Sequence, residues 1–586
     1  MSLLVIGRGW GEVEGLDDPT RTDTIREAQR QGFGEPVGLH WPGGGALWFP
    51  TPGNPRGSGA CLQRGERFAA YIGTVHWRGL TGEALLDELL RRAEAPARLP
   101  LDEFSGAFVM LLGLDGEVWT FTDSLGVQKL YTVDEGRLSS SSMLLCRAAL
   151  RHCRVDRLRA QEYVLTGGNH GLETPIEGLT LLDPTLATEW RSGRTLPLHP
   201  ADSLRMACPF GRREDAVAAI AELISGQMAD CVRALGPDIG MALSGGFDSR
   251  LLLAALQGLG VAPALYVYGR PEDEDVRVAT AVAQGLSLPI QPFDKSRLDA
   301  AAPPLNAARL ADNLAFFDGL PADGAFDLGA DRQTRLLQMA DGRLNLNGGG
   351  GEVLRNFFYL GNRRYRASEL VSTFYANWRP QVFPRDEERR AFLAAMRDGI
   401  LWSLGRLTGA RADEPLPRSD VELVYPLFRL RFWMGRNNMV AARHGAFLTP
   451  LTDARLARLT AALPMGWKQH GRLEAEVITR LSPAVAAGPS AYGFPFTQGP
   501  GLGYRAKALT TLWRPPGLRR LSATVRQRLG LSHTAAMPER WREVAATLPP
   551  QDWVVREHLT DTDQLARLLS LQALVSPSHC GVHPIR

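Results

Sequence analysis

The chain has 586 residues, 44% of them hydrophobic and 22% charged, with a formal net charge of +3. This length exceeds what one hydrophobic core serves, so two or more domains are expected, and the near-neutral charge gives no reason to expect nucleic acid as a partner. No apolar run is long enough to span a membrane and no signal peptide is visible, so we expect a cytoplasmic protein without membrane insertion. The six cysteines are scattered without a Cys-x-x-Cys pair, which argues against structural zinc and a disulfide framework.

Residues 1–153 are predicted to form a β-rich domain, because short apolar runs alternate with Gly and Pro turns. Leucines at helical spacing predict a helix over residues 82–93. Residues 154–211 are predicted to be a connector with small β elements. The predicted strands of the first domain are 3–6, 46–49, 67–72, 107–112, 118–122 and 129–133.

Residues 212–500 have a different pattern, in which strands alternate with helices. This alternation predicts a doubly wound parallel sheet with ligands at the carboxyl ends of its strands, and an α/β fold class for the whole chain. Residues 366–480 are mainly helical by pattern, and residues 501–586 form an Arg-rich helical extension. The predicted elements are helix Arg213–Leu235, strand 239–243, a helix over 251–256, strand Ala264–Tyr268, helix 275–285, strand 289–293, strand 343–347 and a helix beginning near residue 352.

The loop at residues 244–249 reads Ser-Gly-Gly-Phe-Asp-Ser and lies where a strand turns into a helix. Such a turn directs backbone N–H groups and the positive end of a helix at one point, which suits an anion. Asp248 beside a phosphate is repulsive unless a cation lies between them, so the loop predicts Mg²⁺ held by Asp248 and phosphate oxygens. The alternative is a Gly-Ser turn in which Asp248 caps the helix.

This loop resembles the PP-loop of the ATP pyrophosphatases, whose pattern is Ser-Gly-Gly-x-Asp-Ser, and it lacks the Walker spacing. The resemblance implies that ATP is bound and cleaved between its α and β phosphates. The products would be AMP and pyrophosphate, with an adenylated substrate between them.

The order of the two halves resembles the asparagine synthetase B-type amidotransferases. In that family an Ntn-hydrolase-like class II glutaminase domain precedes a PP-loop synthetase domain. The segments that carry the resemblance are 104–109 (Phe-Ser-Gly-Ala-Phe-Val), 122–131 (Thr-Asp-Ser-Leu-Gly-Val-Gln-Lys-Leu-Tyr), 264–275, 347–352 (Asn-Gly-Gly-Gly-Gly-Glu) and 450–453 (Pro-Leu-Thr-Asp).

The resemblance also implies the residues of an ATP and Mg²⁺ site. Asp248 and Glu352 would be the two metal-binding carboxylates and the residues that catalysis requires. A favourable charge in the first turn of a helix is the alternative for Glu352, and a helix cap within an acidic run is the alternative for Asp275. The implied nucleotide contacts are Ala242, Leu243, Ser244, Gly245, Gly246, Phe247, Asp248, Ser249, Tyr268, Gly269, Asp275, Asn347 and Gly348.

Three departures from the family pattern restrict the function. Ser2 stands where a working glutaminase has its catalytic Cys, and a serine is the weaker nucleophile, so this domain is expected to keep the fold without the chemistry. Gly349 replaces the Glu of asparagine synthetases and the Tyr of β-lactam synthetases. The family's lysine is missing from residues 488–494, and Lys468 and Lys507 are the nearest substitutes in sequence.

These departures fit one branch, the lasso peptide cyclases or macrolactam synthetases, which residues 348–358 also resemble. That resemblance implies ring closure between the N-terminal amine and an Asp or Glu side chain of a linear precursor (core) peptide. It further implies a leader peptidase and a leader-recognition protein as partners. A small-molecule amide ligase and a non-catalytic ATP-binding scaffold are the alternatives. The Arg-rich stretch at 501–530, with Trp513, is either a solvated helix face or a surface for an acidic ligand.

Overall fold

The computed structural model shows a mixed α/β architecture. Trp513 and residues 529–530 of the Arg-rich stretch lie outside the part that it describes. The described residues are 2–10, 19–51, 58–200, 203–320, 326, 330–374, 378–411, 414–512, 514–528 and 534–585.

The strands are β1 Leu3–Arg8, β2 Val37–Trp41, β3 Gly44–Phe49, β4 Gly59–Arg64, β5 Arg67–His76, β6 Ser105–Leu114, β7 Glu117–Thr122, β8 Tyr131–Val133, β9 Leu138–Ser140, β10 Leu179–Leu181, β11 Leu186–Glu189, β12 Thr195–Pro197, β13 Ile239–Ala242, β14 Ala264–Tyr268, β15 Ile290–Phe293, β16 Leu344–Leu346 and β17 Phe447–Leu448. The α-helices are α1 Pro19–Arg30, α2 Gly82–Arg92, α3 Met143–Ala149, α4 Arg157–Thr166, α5 Arg213–Leu235, α6 Phe247–Gly258, α7 Glu274–Gly285, α8 Lys295–Ala301, α9 Ala307–Phe317, α10 Ala330–Met339, α11 Ala367–Phe374, α12 Asp386–Thr408, α13 Arg418–Val424, α14 Gly435–Ala442, α15 Ala454–Ala461, α16 Met465–Lys468, α17 Arg472–Leu481, α18 Pro483–Ala487, α19 Leu502–Leu512, α20 Pro516–Arg528, α21 Arg542–Thr547 and α22 Thr562–Val575. A π-helix covers Tyr425–Met434 and joins α13 to α14.

Two antiparallel sheets form the N-terminal half. Within the described chain, one sheet has the order β10-β8-β9-β1-β3-β2 and the other β12-β11-β7-β6-β5-β4. Alternation along β1 sends Leu4 and Ile6 into a core shared with the second sheet, while Leu3 and Val5 face the opposite side. The leucines of α2 cover the outer face of the second sheet. The result is two facing sheets with helices on their outer faces.

The segment predicted as a connector contributes strands to both of these sheets. β10 pairs with β8, and β11 pairs with β7, so residues 154–211 extend the N-terminal sheets and also supply α4. Three-residue strands carry too little periodicity to reveal their partners, which is why the sequence indicated small β elements without placing them. The predicted domain boundaries stay predictions.

A five-stranded parallel sheet lies in the C-terminal half, in the order β15-β14-β13-β16-β17 among the described strands. Its central strands carry buried apolar side chains such as Ile239 and Met241, as expected when helices cover both faces. The long helix α5 packs with α6 and α17 beside this sheet. Because the strands are parallel, the loops that follow β13, β14 and β16 meet at one edge.

The two halves are joined by direct polar contacts. The Asp318 carboxylate, just after α9, accepts hydrogen bonds from the Ser142 hydroxyl (2.5 Å) and the Met143 amide (2.9 Å) at the start of α3. The Lys129 ammonium donates to the carbonyl oxygens of Val127 and Arg431. No helix in the described ranges has the length and apolar character needed to cross a membrane.

Candidate active site

A cavity of about 420 Å³ lies at the carboxyl ends of β13, β14 and β16. Most of the residues predicted for the nucleotide and metal site line it. The exceptions are Gly245 and Gly269, which are chain neighbours of lining residues. The predicted residues in the wall are Ala242, Leu243, Ser244, Gly246, Phe247, Asp248, Ser249, Tyr268, Asp275, Asn347, Gly348 and Glu352, and the wall also contains Val267, Gly349, Arg355 and Tyr492.

The loop between β13 and α6 is held by its own two serines. The Ser244 amide donates to the Ser249 hydroxyl (3.0 Å), and the two hydroxyls lie 3.1 Å apart. The Gly246 amide donates to the Ser244 hydroxyl at 3.2 Å. Ser249 sits in the first turn of α6, so these bonds fix the loop against the positive end of that helix.

Asp275 contacts this loop from the neighbouring helix α7. Its Oδ1 accepts a hydrogen bond from the Gly245 amide at 3.1 Å. A Cβ atom at Gly245 would lie 2.9 Å from that oxygen and 2.7 Å from Ala491 Cβ, so only glycine lets the three segments meet here. The Asp275 carboxylate therefore accepts the hydrogen bond of the Gly245 amide, which could otherwise donate to a bound anion.

The second glycine loop, after β16, packs directly against the first. A Cβ atom at Gly348 would lie 2.7 Å from the Ser249 amide nitrogen, so a side chain there would collide with the start of α6. A short 3-10 helix covers Gly351–Leu354 in place of the helix predicted to begin near residue 352. Beyond it, the Asn356 side chain bonds both the amide and the carbonyl of Leu360, an arrangement that competes with helical backbone bonds.

Three carboxylates surround the guanidinium of Arg355. Its Nη2 lies 2.5 Å from Asp248 Oδ1 and 3.9 Å from Glu352 Oε1, and its Nε lies 3.1 Å from Glu474 Oε2. The Tyr425 hydroxyl donates to the Glu352 carboxylate at 2.5 Å. Glu474 is fully buried, whereas Asp248, Glu352 and Arg355 are partly open to the cavity.

One guanidinium does not compensate three carboxylates, and the pKa values of the cluster show the imbalance. Burial raises the pKa of Asp248 to about 7, although Arg355 opposes the rise. Burial also raises the pKa of Glu474 well above its usual range, and the charges of Asp248 and Glu352 add to this effect. Burial opposes ionisation of Glu352 as well, but Arg355 and the Tyr425 hydroxyl outweigh it and lower its pKa. The cluster therefore has capacity for a further cation.

The oxygen atoms of this cluster are suited to Mg²⁺. Among the described residues, no group of three or more His, Cys, Asp or Glu side chains is arranged as a complete metal site. Mg²⁺ does not require one, because it is usually held by one or two carboxylates together with substrate phosphates and water. Asp248 and Glu352 offer such ligands, and in the described part of the chain both Glu474 oxygens are buried without a well-aligned hydrogen-bond donor. The residues fit a hard cation that arrives with a phosphate-bearing ligand.

The structure also shows what surrounds Gly349 and the lysine candidates named from the sequence. Met434, at the end of the π-helix, fills the space beside Gly349. Residues 488–494, which lack the lysine, lie against the first loop, where the Ala491 amide donates to the Gly245 carbonyl at 3.0 Å. Lys468 is fully buried away from the cavity and is paired with Glu422. The side chain of Lys507 lies outside the described part.

Arg355 and Glu474 are the charged site residues that the sequence reasoning missed. Arg355 directly follows the second glycine loop and offered no separate signal. Glu474 did offer one, because it falls on the apolar stripe of α17 with Val477 and Ile478, three and four positions further on. A carboxylate on such a stripe is buried, and a buried carboxylate needs a partner.

Ser2 is fully buried in the N-terminal half. Its hydroxyl donates to the Ser58 carbonyl at 2.5 Å, and its amide donates to the same oxygen at 3.3 Å. A Cβ atom at Gly59 would lie 1.8 Å from Ser2 Oγ, so the strand β4 passes directly over this hydroxyl. Within the described residues, Ser2 Oγ has no exposed surface and its hydrogen bond is satisfied by the Ser58 carbonyl.

No family model and no curated protein sequence matches the chain. Among solved structures it is similar to glutamine phosphoribosylpyrophosphate amidotransferase from B. subtilis, solved with ADP and GMP, at 11% identity and a TM-score of 0.21. That alignment covers 50% of this chain and 66% of the other. A second similar structure, described as the allosteric regulatory enzyme of purine biosynthesis, has 11% identity and a TM-score of 0.21, over 42% of this chain and 60% of the other. The chain thus spans less than two thirds of either, and the low TM-scores carry no argument about its activity.

Proposed function

We propose that the chain is an ATP-dependent carbon–nitrogen ligase that closes a macrolactam ring in a ribosomally made precursor peptide, the reaction of lasso peptide biosynthesis. The observation that supports this best is the meeting of the Ser244–Ser249 loop with Asp248 and Glu352 in one cavity. A glycine-rich anion loop and two carboxylates at the edge of a parallel sheet suit a nucleotide phosphate chain with its cation.

In the proposed reaction, ATP binds through the loop at residues 244–249 and the positive end of α6. Asp248 and Glu352 would hold Mg²⁺, which would neutralise phosphate charge when bound. A peptide carboxylate oxygen attacks the α-phosphorus, the bond to the β-phosphate oxygen breaks, and pyrophosphate leaves. The N-terminal amine then attacks the acyl carbon, forms the amide, loses a proton and releases AMP.

The N-terminal half is proposed to act as a scaffold for the synthetase half. Ser2 is fully buried, so we propose that the amine comes from the peptide itself and not from glutamine. Met434 beside Gly349 also removes the position from which asparagine and β-lactam synthetases would supply an acid or base. Both observations favour the peptide cyclase over a small-molecule amide ligase. A leader peptidase and a leader-recognition protein are the proposed partners.

The test uses the full chain with ATP, Mg²⁺ and a linear core peptide that has a free N-terminus and an internal Asp or Glu. A product lighter by one water, with one AMP per ring and no ADP, supports the proposal. Asparagine formed from aspartate and ammonia without any peptide would identify a small-molecule ligase. Tight ATP binding without AMP release, for every peptide that carries both groups, would identify a scaffold.

A further inference from the structure

We propose that Arg355 is a phosphate-binding residue of the cavity and that Glu474 is the positioning residue that holds its guanidinium there. The inference rests on the proposed function, because it assumes that the phosphate belongs to a nucleoside triphosphate. It adds two residues whose roles follow from their geometry and not from the loop patterns.

Arg355 is the sole cationic side chain in the described wall of the cavity. Asp248, Asp275 and Glu352 line the same wall, so a phosphate chain would enter a space dominated by negative charge. A divalent cation would offset part of this charge, and Arg355 is the group that the protein itself supplies. Arginine is also suited to the task, because its planar fork bonds two phosphate oxygens at once.

The two edges of the guanidinium have different partners. Its Nε faces Glu474, which is fully buried, while Nη2 faces Asp248 and Glu352 at the cavity wall. The guanidinium also lies over the Phe247 ring, 5.6 Å from its centroid. Charge attraction to Glu474 therefore holds the Nε edge, without an aligned hydrogen bond among the described residues, while the Nη2 edge lies at the cavity wall.

A cation bound by Asp248 and Glu352 would take these carboxylates away from Arg355. The Nη groups would then need a new acceptor, and a phosphate oxygen supplies one. Glu474 would keep its ion pair, because a buried carboxylate without a partner is costly. The guanidinium would thus exchange an internal partner for a ligand without leaving its place.

A purely structural role for Arg355 makes a different prediction from a phosphate-binding role. If Arg355 only neutralises the carboxylates, its loss should weaken the fold and every ligand alike. If it binds phosphate, its loss should remove the phosphate contribution alone. Adenosine and α,β-methylene-ATP separate the two roles, because they share the nucleoside and differ in the phosphate chain.

The experiment measures calorimetric binding of both compounds to the full chain with Mg²⁺ present. For Arg355→Met we expect about 10- to 100-fold weaker binding of the ATP analogue and adenosine affinity within about twofold of wild type. The affinity of Arg355→Lys for the ATP analogue should lie between those of wild type and Arg355→Met, because lysine restores the charge without the planar fork. Equal binding of the analogue by Arg355→Met and wild type overturns the inference and leaves the proposed function standing. Wild-type protein that binds neither compound overturns the proposed function, and this inference with it.

Glu474→Gln tests the positioning role. We expect it to raise the KM for ATP more than it lowers kcat, because the guanidinium is present but loosely held. Glu476→Gln on the same helix is the matched control, since Glu476 pairs with Arg213 and Arg472 away from the cavity. The double variant Arg355→Met/Glu474→Gln should bind the analogue no more weakly than Arg355→Met alone. Because the double variant removes both charges of the pair, it replaces Arg355→Met in the binding experiment if Arg355→Met does not fold. Additive losses in the double variant would contradict the pairing.

Discussion

Met434 occupies the space that a side chain at position 349 would need: a Cβ atom on Gly349 would lie 2.2 Å from Met434 Sδ. Met434 ends the π-helix Tyr425–Met434, whose first residue, Tyr425, donates a hydrogen bond to Glu352. The same irregular helix therefore fills the space beside Gly349 and supports one of the two proposed metal ligands. The absence of an acid or base at position 349 is built into the packing of the protein.

This packing predicts that a glutamate at position 349 lowers the stability of the protein. Gly349→Glu should lower the free energy of unfolding by about 1–3 kcal/mol, because the new side chain overpacks against Met434. Urea unfolding of the purified chain measures the loss. Met434→Ala opens the space, so the double variant Gly349→Glu/Met434→Ala should be more stable than Gly349→Glu alone. If Gly349→Glu is as stable as wild type, Met434 does not fill this space in solution.

The elements around the cavity were largely predictable from the sequence, and their side-chain partners were not. The predicted bounds of the helix Arg213–Leu235 and of the strand Ala264–Tyr268 are those found in the structure, because both have strong periodicity and clear ends. The π-helix lies within residues 366–480, where the sequence pattern predicts helix but does not distinguish π from α hydrogen bonding. The pairing of Arg355 with Glu474 joins residues 119 positions apart, which single-sequence periodicity does not report.

The two proposed metal-binding carboxylates, Asp248 and Glu352, are predicted to be essential for adenylation. Asp248→Asn and Glu352→Gln should each lower the rate of ATP–pyrophosphate exchange by about 100-fold or more, because each removes a charge that would hold the cation against the phosphates. Asp398→Asn is the control, since Asp398 is an exposed carboxylate that pairs with Arg397 on the surface. Exchange at the wild-type rate in both cavity variants would refute the assignment of the metal site.

The N-terminal half is predicted to act as a scaffold during product formation and not to hydrolyse glutamine. Ser2→Ala should leave the rate of ring closure unchanged and should cost about 1 kcal/mol of stability, the usual contribution of one hydrogen bond such as that to Ser58. Glutamate release from glutamine, measured beside product formation, should be at background in both proteins. Glutamate release by wild type that disappears in Ser2→Ala would contradict this prediction and show that the N-terminal half is an active glutaminase.

Lys468 is predicted to stabilise the fold and to take no part in the reaction. Its ammonium is fully buried and paired with Glu422, and it also donates to the Thr460 carbonyl at 3.3 Å. Lys468→Met should therefore cost about 1–3 kcal/mol, since Glu422 loses one of its two buried cationic partners and keeps Arg418. Lys468→Met/Glu422→Met should be less stable than Lys468→Met, because it leaves the buried Arg418 guanidinium without its carboxylate. The rate of adenylation per folded molecule, measured below the unfolding transition, should equal that of wild type in both variants. A fall in that rate with unchanged stability would instead place Lys468 in the chemistry.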